Sequence, residues 1–197
     1  VQTCALPIST PSAAKILDTA LELAESCGWE RLYLHDVATA LNCDLATIAR
    51  HYRQKDDLVE AWLDRADAAL FERAKGADLA ALAPDKRLEE LLMAWLGGIA
   101  AHRALTGQML LYKLELGHVH LQVGALLRVS RTVQWWREAA RRHNLHLARV
   151  AEESLLSAVF LRTFVHWLRH PEVADADLRA LLRRQLRGGP LAWLLRA

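Results

Sequence analysis

Glycine and proline, the residues that most often interrupt helices, are scarce in this chain. Only 9 of its 197 residues are glycine and 5 are proline. Leucine and alanine are abundant, and arginine and glutamate recur throughout; all four are good helix formers. We find none of the polar and apolar alternation that is typical of strands. The sequence therefore predicts an all-α fold.

Cysteine is rare and long apolar runs are missing. The three cysteines, Cys4, Cys27 and Cys43, are an odd number, and no two have the spacing of metal ligands. This excludes a disulfide framework and indicates a reduced, cytoplasmic setting. Although 53% of the residues are hydrophobic, no run reaches the roughly 18 residues that a membrane-spanning helix needs.

Motifs of catalysis and of cofactor binding are also missing. The sequence has no glycine-rich phosphate loop, no Gly-x-Ser-x-Gly elbow and no His-Glu-x-x-His zinc motif. His118 and His120 are two positions apart, and such positions point away from each other on a helix, so we expect no metal site. We therefore predict that the chain is not an enzyme and needs no cofactor.

Charge is distributed unevenly behind a net charge of +2. Residues 1–75 carry a net charge of −4, whereas residues 76–197 carry +6. An acidic N-terminal region is unfavourable for DNA binding, but Arg50, Arg53 and Lys55 form a local basic patch within it. Six arginines of the basic half are predicted to form a solvated helix face. They are Arg128, Arg131, Arg137, Arg141, Arg142 and Arg149.

The first eight residues do not fit the rest of the chain. Val1-Gln2-Thr3-Cys4-Ala5-Leu6-Pro7-Ile8 reads like an in-frame translation of a sequencing-library adapter. We predict that segment 1–8 is non-native and exclude it from the fold, as one excludes a fusion scar.

Segment 37–58 has the order of a helix-turn-helix unit. A short apolar helix is followed by a turn at Asn42-Cys43, by a second short helix capped by Asp44, and by a long helix starting near Lys55. Asn42 tolerates the left-handed backbone that such a turn requires. Units of this kind place their second helix in the DNA major groove.

This segment resembles the N-terminal domain of TetR-family transcriptional regulators. The family's Ile-Ala pair, Gly-Val turn, Ser/Thr cap, aromatic helix end and lysine correspond to Val37-Ala38, Asn42-Cys43, Asp44, Tyr52 and Lys55. The resemblance is specific over about Ile16–Asp67 and general beyond. It implies a three-helix DNA-binding head at 9–55, a connecting helix at 56–75, and a helical ligand-binding and dimerisation body at 76–197.

The resemblance implies that the second helix of the motif contacts DNA. The predicted DNA-binding residues belong to this helix, its cap, its end and the next helix start: Asp44, Leu45, Ala46, Thr47, Arg50, His51, Tyr52 and Lys55. Arg50 would read a guanine or hold a phosphate, Thr47 would do either, and Lys55 would hold a phosphate. In one departure, Ala49 replaces a tyrosine that in this family commonly meets the DNA backbone.

By the same resemblance, the body holds a pocket for a small hydrophobic effector. Aromatic walls with a few polar groups suit such a ligand, and the predicted lining is Trp95, Met109, Tyr112, His118, Trp135 and Phe164. The protein would be a homodimer, with helices Ala148–Arg169 and Asp175–Leu186 forming a four-helix interface that includes Leu182. It would repress transcription at a near-palindromic operator until the effector releases it.

Two alternatives stay open at this point, and the weaker of them is an interaction protein that acts without DNA through its basic body. A ubiquinone-biosynthesis accessory family has the same fold, binds lipid and does not read DNA. The acidic head, Ala49 and the leucine- and arginine-rich segment 178–187 favour that alternative. Arg50, Tyr52 and Lys55, which keep the spacing of the regulators, favour the DNA-binding function.

Overall fold

A computed structural model describes residues 10–115 and 117–196, and all its regular elements are helices. The all-α prediction is therefore confirmed. The predicted non-native segment 1–8 and Leu116, the predicted end of one helix, lie outside the described residues. The chain forms two compact units, one ending at Trp62 and the other beginning at Leu63. No helix within the described part of the chain is long and apolar enough to cross a bilayer.

The first unit contains three short helices and the start of a longer one. They are α1 (Ala13–Cys27), α2 (Leu34–Ala40), α3 (Leu45–His51) and α4 (Lys55–Ala74). Thr10 followed by Pro11 predicts a cap at Thr10, but Ser12 caps α1 by accepting a hydrogen bond from the Lys15 amide at 3.2 Å. Gly28 ends α1 with a φ of 85°, a backbone conformation that residues with a Cβ rarely adopt.

The turn between α2 and α3 has the predicted backbone geometry. Asn42 has a φ of 50°, in the left-handed region that asparagine tolerates better than most residues. Asp44 caps α3 as predicted, whereas Tyr33 precedes α2 without a side-chain capping hydrogen bond. The turn thereby sets the angle at which α3 leaves α2.

A small apolar core holds these helices together. Ile16 of α1, Val37 of α2, Ile48 of α3 and Leu58 of α4 are all fully buried, and Trp29 fills the space after α1. Because each helix contributes a large side chain to one cluster, the outer face of α3 is left to solvent.

The second unit contains the remainder of α4, six further α-helices, and short 3₁₀ helices at Leu79–Ala81 and Ala100–His102. The six α-helices are α5 (Pro84–Gly98), α6 (Arg103–Lys113), α7 (Val119–Ala139), α8 (His146–Arg169), α9 (Asp175–Leu186) and α10 (Gly189–Arg196). In this unit α5 approaches α4 closely at Gly98, where a Cβ would lie 2.7 Å from the Cβ of Ala69. Only glycine allows the two helices to pack at this distance.

Several arginines that the sequence assigned to a solvated face are buried. Glu152 of α8 is fully buried and accepts hydrogen bonds from Arg142 at 2.6 Å and from Arg137 at 3.3 Å. Asn144 donates to the same carboxylate, and Arg142 also donates to the Leu194 carbonyl of α10 at 2.7 Å. A buried charge requires such partners, so these arginines join α7, α8 and α10 rather than facing water.

The leucines of α9 point into their own chain. Leu178, Leu182 and Leu186 are at most 1% exposed, and α9 packs against α5 and α8. The prediction that Leu182 lies in a dimer interface is therefore wrong, because its side chain is already covered by the core of the second unit.

We expect Glu152→Ala to lower the free energy of unfolding by about 3–5 kcal/mol, because it leaves two buried guanidinium groups without their carboxylate. Urea denaturation would measure the change. Glu153→Ala is the matched control, since Glu153 is half-buried beside the exposed Arg149, with which it pairs at 3.5 Å, and its loss should cost about 0.5 kcal/mol. Equal effects of the two substitutions would contradict the structural role of Glu152.

Candidate nucleic-acid interface and cavity

The solvent face of α3 carries most of the residues predicted to bind DNA. Five of the eight are exposed: Asp44, Leu45, Ala46, Arg50 and His51. Ile48 and Thr47 point inward and attach the helix to the head. Ala49, which stands where the family commonly has a tyrosine, is also exposed, so the face lacks an aromatic side chain at that position.

A short chain of hydrogen bonds orients the arginine of this face. The Thr47 hydroxyl donates to the Asp44 carboxylate at 2.6 Å and accepts from the Arg50 guanidinium at 2.7 Å. Asp44 also accepts from the Thr47 amide at 2.7 Å. The hydrogen bonds from Thr47, helped by the charge of Arg50, lower the pKa of Asp44. The carboxylate is thus ionised at neutral pH and holds the helix start, and it acts on the guanidinium through the Thr47 hydroxyl.

Tyr52 and Lys55 are turned toward the interior of the head. The Tyr52 hydroxyl donates to the Ala13 carbonyl at 2.8 Å. The Lys55 ammonium donates to the Trp29 and Glu30 carbonyls at 2.6 and 3.2 Å and lies 5.1 Å from the centre of the Trp29 ring. Burial lowers the pKa of Lys55. This geometry replaces the expectation of a phosphate contact for Lys55, because its ammonium is engaged by backbone carbonyls.

The second unit contains a cavity of about 420 Å³, within the size range of small-molecule sites. Its walls come from α4 to α8 and are mostly apolar. The lining residues are Leu63, Trp95, Leu110, Lys113, Leu114, Gln122, Ala125, Leu126, Arg128, Val129, Thr132, Phe160, Leu161, Phe164 and Val165.

Two of the six residues predicted to line a pocket, Trp95 and Phe164, line this cavity, with their rings 5.2 Å apart. The other four, Met109, Tyr112, His118 and Trp135, are not among its lining residues. Met109 is fully buried in the helical core. Trp135 is half exposed with its ring against Phe71, and the exposed His118 lies beside Glu115.

A buried carboxylate on α4 is bonded to three residues that line the cavity. Asp67 accepts hydrogen bonds from the Trp95 indole at 2.8 Å, from Arg128 at 2.8 Å and from Thr132 at 3.2 Å. Arg128 also donates to Asp64, one turn earlier on α4. Burial raises the pKa of Asp67, while Arg128 and the hydrogen bonds oppose that rise. Asp67 therefore connects α4 to the lining residues that α5 and α7 contribute to the cavity.

Comparison with solved structures decides the family. The crystal structure of the TetR transcriptional regulator from Nitrosomonas europaea ATCC 19718 is 40% identical and matches 92% of this chain and 98% of its own, with a TM-score of 0.79. The chain belongs to the TetR family of transcriptional regulators. A regulatory protein of the tetR family from Rhodococcus RHA1 matches 93% of this chain and 95% of its own, at 19% identity and a TM-score of 0.46. No family model and no curated protein matches the chain.

In this TetR-family chain, sequence reasoning missed the polar residues of the cavity. Lys113, Gln122, Arg128 and Thr132 were not predicted to line it, although all four do. Arg128 and Thr132 lie one turn apart on α7. This spacing was the sequence signal that the two side chains share one face of the helix. Their role depends on Asp67, more than 60 positions earlier in the chain, which the sequence pattern alone does not bring together with them.

We expect Lys55→Met to destabilise the TetR-type head by about 1.5–3 kcal/mol, because two carbonyls lose a charged donor. Urea unfolding would measure the loss. Lys15→Met is the control, since Lys15 is exposed on α1 of the same unit, and it should leave stability within about 0.5 kcal/mol. A Lys55→Met protein of unchanged stability but weakened DNA binding would restore the phosphate role.

Proposed function

We propose that this TetR-family chain is a homodimeric, ligand-responsive repressor that acts in the cytoplasm and binds a near-palindromic DNA operator. The exposed face of α3, with Arg50 oriented by Thr47 and Asp44, is the observation that carries the proposal. A guanidinium held in a fixed direction loses little freedom when it binds a base edge or a phosphate. Two heads would then occupy successive major grooves.

DNA contact is assigned to the exposed residues of this face. Arg50 supplies the charge and the two-pronged donor geometry that suits guanine. Leu45 and Ala46, at the start of α3, are exposed where recognition helices commonly meet base edges. Thr47, Tyr52 and Lys55 act as positioning residues, because their side chains are engaged within the head.

We propose that the second copy of the chain packs against the outer face of α8, one of the two helices predicted to form the dimer interface. Six exposed residues follow each other at alternating intervals of four and three: Leu147, Ala151, Ser154, Ala158, Leu161 and Val165. This is the spacing of the seam in helix bundles. Small residues at its centre would let two α8 helices approach closely, and the larger side chains at both ends would pack against the partner.

Effector binding would act through Asp67. Trp95, Arg128 and Thr132 line the cavity and hold this carboxylate of α4, and α4 is a single helix that begins at Lys55 in the first unit. A ligand that prefers one arrangement of these side chains would shift the population of α4 positions, and with it the affinity for DNA.

We expect Arg50→Ala to weaken binding to the protein's own upstream DNA by about 10- to 100-fold, because a bidentate base contact or a charged phosphate contact is lost. Fluorescence anisotropy across a salt series would measure it, and a phosphate role would also lower the salt slope by about one. Arg31→Ala, at an exposed arginine between α1 and α2, is the control. No binding by the wild type even at low salt would refute the regulator and favour the lipid-binding alternative.

We expect Ala158→Arg to convert the dimer into a monomer, because a long charged side chain replaces a small residue at the centre of the seam. Sedimentation velocity would measure the change. Ala176→Arg, at an exposed alanine of α9, introduces the same side chain away from the seam and should leave the dimer intact. An Ala158→Arg protein that still sediments as a dimer would place the interface elsewhere.

A further inference from the structure

The cavity of the second unit has an outer wall made of side chains that also face solvent. Leu161 and Val165 of α8 line the cavity, and each is 41% exposed. Leu114, directly after α6, and Leu126 of α7 line it while being more than half exposed. A ligand held behind these four side chains would stay close to water on this side, and burial of its hydrocarbon surface would then stabilise it less.

This outer wall adjoins the seam on α8. Leu161 and Val165 are the last two of the six seam residues. At the other end of the seam, Leu147 is 85% exposed and the neighbouring Val150 is 53% exposed. One end of α8 therefore projects apolar side chains into solvent, whereas the other end borders an apolar cavity.

The spacing of the seam is the same when it is read from either end. Its six residues follow each other at intervals of four, three, four, three and four, so the pattern is symmetric about Leu156. A two-fold axis makes each copy present the same patch to the other. With that axis at Leu156 and two antiparallel α8 helices at the shallow angle of a bundle, Ala151 of one copy lies opposite Leu161 of the other. Leu147 likewise lies opposite Val165.

The area of the seam requires the contact to extend beyond α8. From Leu147 to Val165 the helix is about 27 Å long, and at a width of about 10 Å it offers roughly 270 Å². A stable interface buries about 800 Å² per partner. Further apolar surface lies beside the outer wall, in four side chains that are 48% to 69% exposed: Leu114, Val123, Leu126 and Leu127. Monomeric proteins rarely leave large apolar patches in water, so a second copy that covers this side accounts for both the area and the exposure.

We propose that the second copy of the chain completes the effector site, with Leu147 of the partner subunit closing the cavity beside Leu161 and Val165. This inference rests on the proposed dimer and on the cavity being the effector site. Because the walls are mostly apolar, the ligand class that fits is a neutral hydrophobic molecule. Such a ligand would be enclosed by side chains of both copies. Ligand binding and dimer formation would then strengthen each other, because the linkage between two binding equilibria is reciprocal.

Cysteine cross-linking tests where the two copies meet. In the double variant Ala151→Cys with Leu161→Cys, the two thiols of one chain are about 15 Å apart along α8, too far for a disulfide. Mild oxidation should therefore join two copies, seen as a covalent dimer on a non-reducing gel. Each single variant is a matched control and should stay unlinked, since its introduced thiol lies about 15 Å along the helix from its symmetry copy. The wild-type chain shows the background from its own cysteines.

Sedimentation velocity of the same samples separates the two proposals. A double variant that sediments as a dimer but forms no cross-link would overturn this inference and leave the proposed dimer standing. A wild-type chain that sediments as a monomer would overturn both.

Binding of N-phenyl-1-naphthylamine, a neutral dye whose fluorescence rises in apolar surroundings, tests the closing residue without DNA. Leu147→Ser should weaken dye binding about tenfold, because an apolar contact with the ligand is lost. Leu145→Ser is the matched control, since Leu145 is 69% exposed near the same helix end but lies outside the seam, and it should leave the affinity unchanged. Equal affinity of Leu147→Ser and the wild type would overturn the proposal, as would failure of the wild type to bind the dye. If Leu147→Ser no longer sediments as a dimer, the cross-link decides.

Discussion

The buried carboxylate of Asp67 constrains how α4, α5 and α7 pack in the second unit. An ionised group away from water is tolerated only when charge and hydrogen bonds replace its hydration. Arg128, Trp95 and Thr132 supply that replacement from α5 and α7. Three helices must therefore meet at one point, and the apolar packing around them has to accommodate that geometry. The wall of the cavity follows from this arrangement.

Local chemistry made much of the helical pattern predictable from sequence. α4 begins at Lys55 as expected, and Asp44 caps α3 as predicted, because these features depend on residues a few positions apart. The cap of α1 was misplaced at Thr10, since both Thr10 and Ser12 satisfy the same rule. Burial of Arg137 and Arg142 was missed because their carboxylate, Glu152, belongs to another helix. Leucines on α9 likewise fit either a core or an interface.

The DNA-binding face of α3 and the cavity differ in the same way, because the first depends on local contacts and the second on distant ones. The face of α3 could be predicted because its motif is local, but Thr47, Tyr52 and Lys55 turn inward through contacts that the motif does not reveal. The cavity is formed where α4 to α8 meet, so its lining depends on how the helices rotate against each other. An aromatic residue alone is therefore poor evidence for a pocket, as Trp135 on the surface illustrates.

The bonding of Asp67 also has an evolutionary consequence. Loss of Arg128 alone would strand a buried negative charge, and loss of Asp67 alone would strand a buried positive charge, so either single step is costly. Lineages that change one position should therefore change the other in compensation, often together with Trp95, whose indole needs an acceptor. Effector preference could diverge at the apolar lining residues outside the proposed seam, while Asp67, Arg128 and Trp95 vary as a set.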